Sequence, residues 1–289
     1  MDELSSNLEQ RLSSFLVFED AIIGRRGRWF YESHELDVPD RKALNQKLTE
    51  ICDKIYHASP IIKNELINRA RLSSSIASAR TRLIAGMIEH QKSEHLGFKG
   101  TPPELAIYLT IFHASGLHRS VNDVRGFYPP SDDDPCNWKR AWNDLRTLLK
   151  KVGGIHIEAI LDVLGEPPYG MRQGVSTLFL AAFMLHYRHD VSLFERGTYV
   201  VQITEHHFMR LLKSPRTFAL HFVLREPDKA KLIHDYWAKL DVLKKRFDKD
   251  PEVTDVVREL YRWATSLSSF ALNTQKIVKT TRDVRTILL

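Results

Sequence analysis

Apolar residues along this chain fall mostly at three- and four-residue spacing, the period of a helix with one buried face. The clearest case begins at Pro39, where Leu44, Leu48, Ile51, Cys52 and Ile55 make one stripe. A second runs over Asn137–Lys151, with Trp138, Trp142, Leu145, Leu148 and Leu149 inward and Lys139, Arg140 and Arg146 outward. Helices are also predicted over residues 4–23, over Glu104–Ser115 up to Gly116, and briefly over Ile155–Leu164. Ile61–Gln91 reads either as one long helix or as two, broken near Ser73–Ser75. Two more, about Lys229–Phe247 and Pro251–Phe270, follow near the end of the chain.

Strand signals are sparser. Trp29-Phe30-Tyr31 and the run from Leu36 to Val38 suggest a hairpin across Glu32-Ser33-His34, and Phe218–Leu224 reads as a short strand. The stretch Pro167–Leu212 organises the rest. It predicts a turn at Pro167–Gly170, a helix over Arg172–Tyr187, and a hairpin of Val191–Phe194 and Tyr199–Ile203 across Glu195-Arg196-Gly197. A last helix starts after Thr204. Helix, hairpin, helix is the layout of a winged-helix unit. The expected fold is therefore mainly α with short β-hairpins, a helical assembly containing a winged-helix-like unit.

Three domains are expected. They are a helical module with a small hairpin over 1–96, a helical and winged-helix-like module over 104–213, and a C-terminal helical segment over 214–289. Gly97–Pro103 is the connector between the first two. The chain stops at Leu288-Leu289 just after a helix start, so it is expected to belong to something longer.

Composition narrows the class. With 289 residues, 43% of them apolar and 27% charged, the chain can bury one large core or two smaller ones and is not a disordered tail. A formal charge of +6 permits a nucleic-acid partner without requiring one, because binding depends on clustered charge. Two cysteines, Cys52 and Cys136, form neither a metal framework nor a disulfide set and suggest a reducing compartment. The acidic opening Met1-Asp2-Glu3 is not a secretory signal, and the longest apolar run, Val175–Leu185, is too short to span a bilayer. A cytoplasmic protein with no membrane partner is expected.

Candidate chemistry is scarce. No phosphate-cradling GxxxxGK[ST] run, HExxH, GxSxG or CxxC pattern occurs, so no cofactor, metal site or catalytic residue is predicted. Asp132, Asp133 and Asp134 lack the alternating ligands and later glutamate of a calcium loop and read as a solvated turn. His90 and His95, like His113 and His118, are five apart, which on a helix separates ligands by about 140°. The pairs His189-Asp190 and His234-Asp235 admit an alternative, a metal-dependent phosphohydrolase of the HD class.

Basic residues offer candidate nucleic-acid contacts. Arg25, Arg26 and Arg28 lie beside Trp29-Phe30-Tyr31, where guanidinium groups could grip phosphates while rings stack bases. Arg69 and Arg80, like Arg71 and Arg82, are eleven apart, about three turns of an unbroken helix, so each pair would share a face. Arg172 opens the central helix of the 167–212 stretch, and Arg196 sits at its hairpin tip. That central helix is apolar nearly all round, the mark of a buried helix, which weighs against insertion into a DNA groove.

Four strings carry a family resemblance: ELINRARLSSSIASARTRLI (Glu65–Ile84), TPPELAIYLTIFHASGLHR (Thr101–Arg119), PPYGMRQGVSTLFLAA and VSLFERGTYV. Together they resemble the non-catalytic helical and winged-helix region of large bacterial multidomain P-loop ATPases linked to phage defence, such as the BREX-type proteins. The chain departs from those proteins in having no ATPase core, so ATP binding is carried over onto none of its residues. The resemblance implies a non-enzymatic regulatory or scaffold module that acts beside an adjoining ATPase and binds DNA or a protein partner. A purely structural protein–protein interaction domain is a further alternative. Oligomeric state is not predicted.

Overall fold

The computed structural model describes residues 13–14, 16–21, 27–222 and 253–288. The fold is mainly helical with small antiparallel sheets. It divides into two compact units, Met1–His57 and Ala58–Leu289, rather than at the breaks expected near residues 96 and 213.

In the first unit, strands β1 (Trp29–Tyr31) and β2 (His34–Leu36) pair as the expected hairpin. Its two turn residues, Glu32 and Ser33, both have positive φ, the conformation that matches the twist of a two-residue hairpin. Helix α1 (Arg41–Ile55) follows, and Oδ1 of its N-cap Asp40 accepts from the Ala43 amide at 2.7 Å. Leu44 is buried there, whereas Leu48, expected on the inner face, is exposed.

The second unit opens with the largest departure from the helical reading. Residues 59–73 are irregular, with a turn and bends over 65–71, and α2 begins only at Ser74, running to Glu89 with Ser73 as its N-cap. The backbone of this segment bonds to distant partners. The Ile61 amide donates to the Cys136 carbonyl, and Asn137 Nδ2 donates to that of Ser59. Asn64 accepts from the Leu66 and Ile67 amides and donates to Thr110. A side chain that satisfies nearby amides competes with the helix for them.

Helix α3 (Pro103–Tyr108) continues into a π-helical turn, Leu109–His113. Strands β3 (His118–Val121) and β4 (Val124–Phe127) then form a hairpin across Asn122-Asp123, both at positive φ. Helix α4 (Lys139–Val152) starts where Asp134 Oδ2 accepts from the Lys139 amide at 2.6 Å. The acidic loop thus supplies a helix cap, and Asp132 pairs with the Lys139 ammonium at 2.7 Å. Gly153, at φ +72°, ends α4.

The remaining elements build one sheet. The segment expected as a single short helix is β5 (Gly154–His156) followed by α5 (Ile157–Gly165), after which comes α6 (Gln173–His186). Then follow β6 (Val191–Glu195), β7 (Thr198–Tyr199), α7 (Glu205–Lys213) and β8 (Phe218–Phe222). All neighbours in this sheet are antiparallel, in the order β5-β8-β6-β7. The expected β6–β7 hairpin forms over two residue pairs only, whereas β6 and β8 pair over five, from Val191–Phe222 to Glu195–Phe218. β8 therefore crosses the domain boundary expected at residue 213 and belongs to the central sheet.

Helices α8 (Val253–Thr265), α9 (Ser269–Asn273) and α10 (Lys279–Leu288) complete the described residues. The helix expected over 251–270 stops at Thr265, and Ser268 caps a new one. The helix expected over 229–247 lies outside the described residues. No helix among the described residues is long and apolar enough to cross a membrane.

The core centres on α6, where every residue from Gly174 to Met184 is buried. Phe179 stacks on Trp138 of α4 at 5.2 Å and meets Trp142 edge-on at 5.6 Å. Phe183 packs against Trp142 and Tyr187. Aromatic pairs of this geometry add to the burial of the rings themselves.

Candidate functional site

The surface with the most built-in chemistry is the hairpin of β6 and β7 with the helices around it. Arg196 and Gly197 at its tip have φ of +51° and +80°, and the Arg196 amide donates to the Thr217 carbonyl at 2.7 Å. Behind the tip, Arg210 of α7 donates from Nε and Nη2 to the two oxygens of Glu195, both at 2.7 Å. Such a two-pronged bond fixes orientation as well as distance. Arg210 holds the Glu195 carboxyl below its usual range. Helix α7 is started by Thr204 and His207, whose Nδ1 accepts from the Thr204 amide at 3.2 Å. An open groove of about 510 Å³ runs beside the tip, lined by Arg196, Thr198, Tyr199, Gln202 and His207 among others.

On the other side of the same segment, α8 closes a cavity of about 390 Å³. Arg258 Nε donates to the Val201 carbonyl at 2.8 Å, and Arg262 Nη2 donates to Gln202 Oε1 at 3.0 Å. Tyr261 meets Tyr199 edge-on with ring centres 5.9 Å apart. A third hollow, about 380 Å³, is lined by Glu158, Asp162 and Glu166, but Glu158 is engaged by Arg216 at 2.7 Å. Among the described residues no cluster of three or more His, Cys, Asp or Glu is placed to hold a metal ion.

A scan of protein-family models and searches of curated proteins and of solved structures find no match to the chain.

The seven candidate arginines are not brought together by any hydrogen bond or ring contact among the described residues. Arg25 and Arg26 lie outside those residues. Arg28 is occupied: its Nε and Nη2 bond both oxygens of Glu35 at 2.8 and 2.5 Å, and it lies over the Phe30 ring. Arg69 is exposed and donates from Nε to the Glu65 carbonyl. Because no helix joins residue 69 to residue 80, the two predicted shared faces do not exist. Arg80 is half-buried in α2, its Nε bonds to nothing among the described residues, and burial lowers its pKa. Arg82 donates to both oxygens of buried Glu104, at 2.8 and 3.0 Å. Arg172 and Arg196 are both exposed, one at the N-cap of α6 and the other at the hairpin tip.

The histidines divide in the same way. Of the HD candidates, His234 and Asp235 lie outside the described residues, and His189 Nε2 accepts from Arg188 Nε at 2.8 Å. His118 is buried between two fixed partners. Its Nε2 bonds the Gln91 carbonyl and its Nδ1 the Tyr108 hydroxyl, each at 2.7 Å. A carbonyl can only accept, so Nε2 carries the proton and the tyrosine donates to Nδ1. His186 Nδ1 likewise donates to the Phe127 carbonyl at 2.9 Å.

Burial, the main cause at both rings, pushes their pKa below the usual 6.5. The unfolded chain then binds more protons than the folded one as the pH falls through about 6.5, so stability is full above that pH and declines below it. Melting temperature measured between about pH 7.5 and 5 will fall, and His118→Gln will flatten the decline. The carboxyls of Glu104 and Glu195, held below 4.5 by their arginines, add a separate loss only at lower pH. An unchanged melting temperature across the upper window would mean that neither ring is buried in its neutral form.

Proposed function

We propose that this chain is a non-enzymatic scaffold or regulatory module of a larger ATPase assembly in prokaryotic antiphage defence, and that its direct ligand is a protein partner. The observation that carries the binding mode is the order of elements from α4 to β8. Helix α4, strand β5, helices α5 and α6, strand β6 and the closing strand β8, with sheet order β5-β8-β6, support reading a winged-helix-like unit here. In this reading β7 and α7 are an insertion where a simple wing would stand. The helix in the place of a recognition helix is α6, and it is sealed into the core from Gly174 to Met184.

Base edges are read by polar side chains entering a groove, and those on the buried length of α6, Ser176 and Thr177, are sealed in and donate to the Gln173 carbonyl. The outward features are the tip at Arg196 and the groove beside it, which suit a polar contact with another protein. The link to an ATPase assembly is supported by the four stretches that resemble such proteins.

Two measurements test the proposal. A gel-shift titration with duplex DNA at about 50 and about 200 mM salt is expected to show no complex at either. A complex at the lower salt that weakens steeply at the higher would instead identify DNA as the ligand. A P-loop ATPase encoded beside this chain should be retained on the immobilised chain, and Arg196→Glu at the tip should reduce retention. Equal retention by the variant would remove the hairpin from the contact.

A further inference from the structure

The cavity closed by α8 has a lining of one sign. We propose that it binds a small amphipathic organic anion: one phosphate or carboxylate group carried on an apolar body. Its volume, about 390 Å³, lies within the usual range of small-molecule sites. The charged residues in the lining are Arg188, Arg258 and Arg262, with Gln91 and Gln202 beside them, and no carboxylate lines it among the described residues. The acid nearest in sequence, Glu259, is buried, and its Oε1 accepts from Arg262 Nη1 at 2.5 Å.

All three guanidinium groups are anchored. Arg258 is held by the Val201 carbonyl, Arg262 by Gln202 and by the buried carboxylate of Glu259, which offsets its charge, and Arg188 by Nε2 of His189. A planar fork tied by some of its N–H groups keeps its direction, so little freedom is lost when an anion is bound. The rest of the lining is different in kind. Met184, Leu193 and Phe208, all buried core residues, give the cavity an apolar side. Inorganic phosphate would satisfy the arginines and leave that side wet. An anion with an apolar body satisfies both.

The site adjoins the partner contact proposed for the hairpin tip, since Tyr199 and Gln202 line both, but its test reads the small anion alone. Calorimetric titration of the full chain with phenyl phosphate, octanoate and inorganic phosphate tests it. Phenyl phosphate or octanoate should bind saturably, and whichever binds more tightly identifies phosphate or carboxylate as the preferred head group. Inorganic phosphate should bind about tenfold more weakly or worse. Arg188→Gln, at an exposed position, should weaken the organic anion about tenfold while leaving the melting temperature of the free protein unchanged. Arg258→Lys is the second variant, keeping charge but losing the fork, and it too should weaken binding. Absence of saturable binding by both organic anions would overturn the proposal. So would undiminished affinity in both variants, or equal affinity for inorganic phosphate.

Discussion

Phe179→Ala will lower the unfolding free energy by about 3–5 kcal/mol, the range for emptying a large aromatic site in a rigid core. Phe179 is fully buried on α6, stacked on Trp138 and edge-on to Trp142. Both tryptophans are fully buried themselves, so neither can move into the space without opening a gap elsewhere. Trp138 Nε1 makes no hydrogen bond among the described residues, so that indole is held by packing. Urea denaturation followed by tryptophan fluorescence will show the midpoint falling with an unchanged slope, the sign of lost stability rather than a changed unfolded state. A loss below about 1 kcal/mol would mean that α4 and α6 close over the vacancy, and that the stacked geometry contributes little.

The second large effect comes from a single missing methyl group. Gly174 lies in the first turn of α6, and a Cβ there would sit 2.8 Å from the Ile67 carbonyl oxygen and 3.1 Å from its Cδ1. Ile67 is fully buried, and its amide is bonded to Asn64, so the obstructing atom is backbone with nowhere to retreat. Alanine would gain up to about 1 kcal/mol in helix propensity. The overpacking cost of about 1–3 kcal/mol opposes it. Gly174→Ala is therefore expected to be destabilising on balance, and Gly174→Val to cost about 3 kcal/mol. Gly86→Ala is the control. There the nearest atom, at 2.7 Å, is the ring tip of Phe98, a side chain that can swing aside. A Gly174→Ala protein as stable as the parent would show that the segment 59–73 shifts freely against α6.

These effects share a cause with what could and could not be read along the chain. The stripes of α1 and α4 are visible because a helix repeats every few residues and a buried face leaves its mark within one segment. The all-apolar run of α6 announces a buried helix for the same reason. Helix Arg41–Ile55, helix Lys139–Val152 and the hairpin at Glu32-Ser33 lie close to where the pattern puts them. The β3–β4 hairpin is not among the expected elements, although Asn122-Asp123 at its turn is a signal of the same local kind.

The sequence by itself determined that the chain is mainly helical, that α6 is internal, and that a tight turn lies at Glu195-Arg196-Gly197. Tertiary structure alone decided the rest. Strand pairing is non-local: Ile155 and Leu193 both face Leu220, and no spacing along the chain selects those partners. Residues 59–73 carry helix-like apolar spacing, yet bonds to Cys136, Asn137 and Thr110 hold them out of a helix and separate Arg69 from Arg80. The cavity is the extreme case, because Arg188, Gln202 and Arg262 come from the turn after α6, the segment after β7, and α8. Each is an ordinary polar residue in its own stretch, and only the docking of α8 turns them toward one volume.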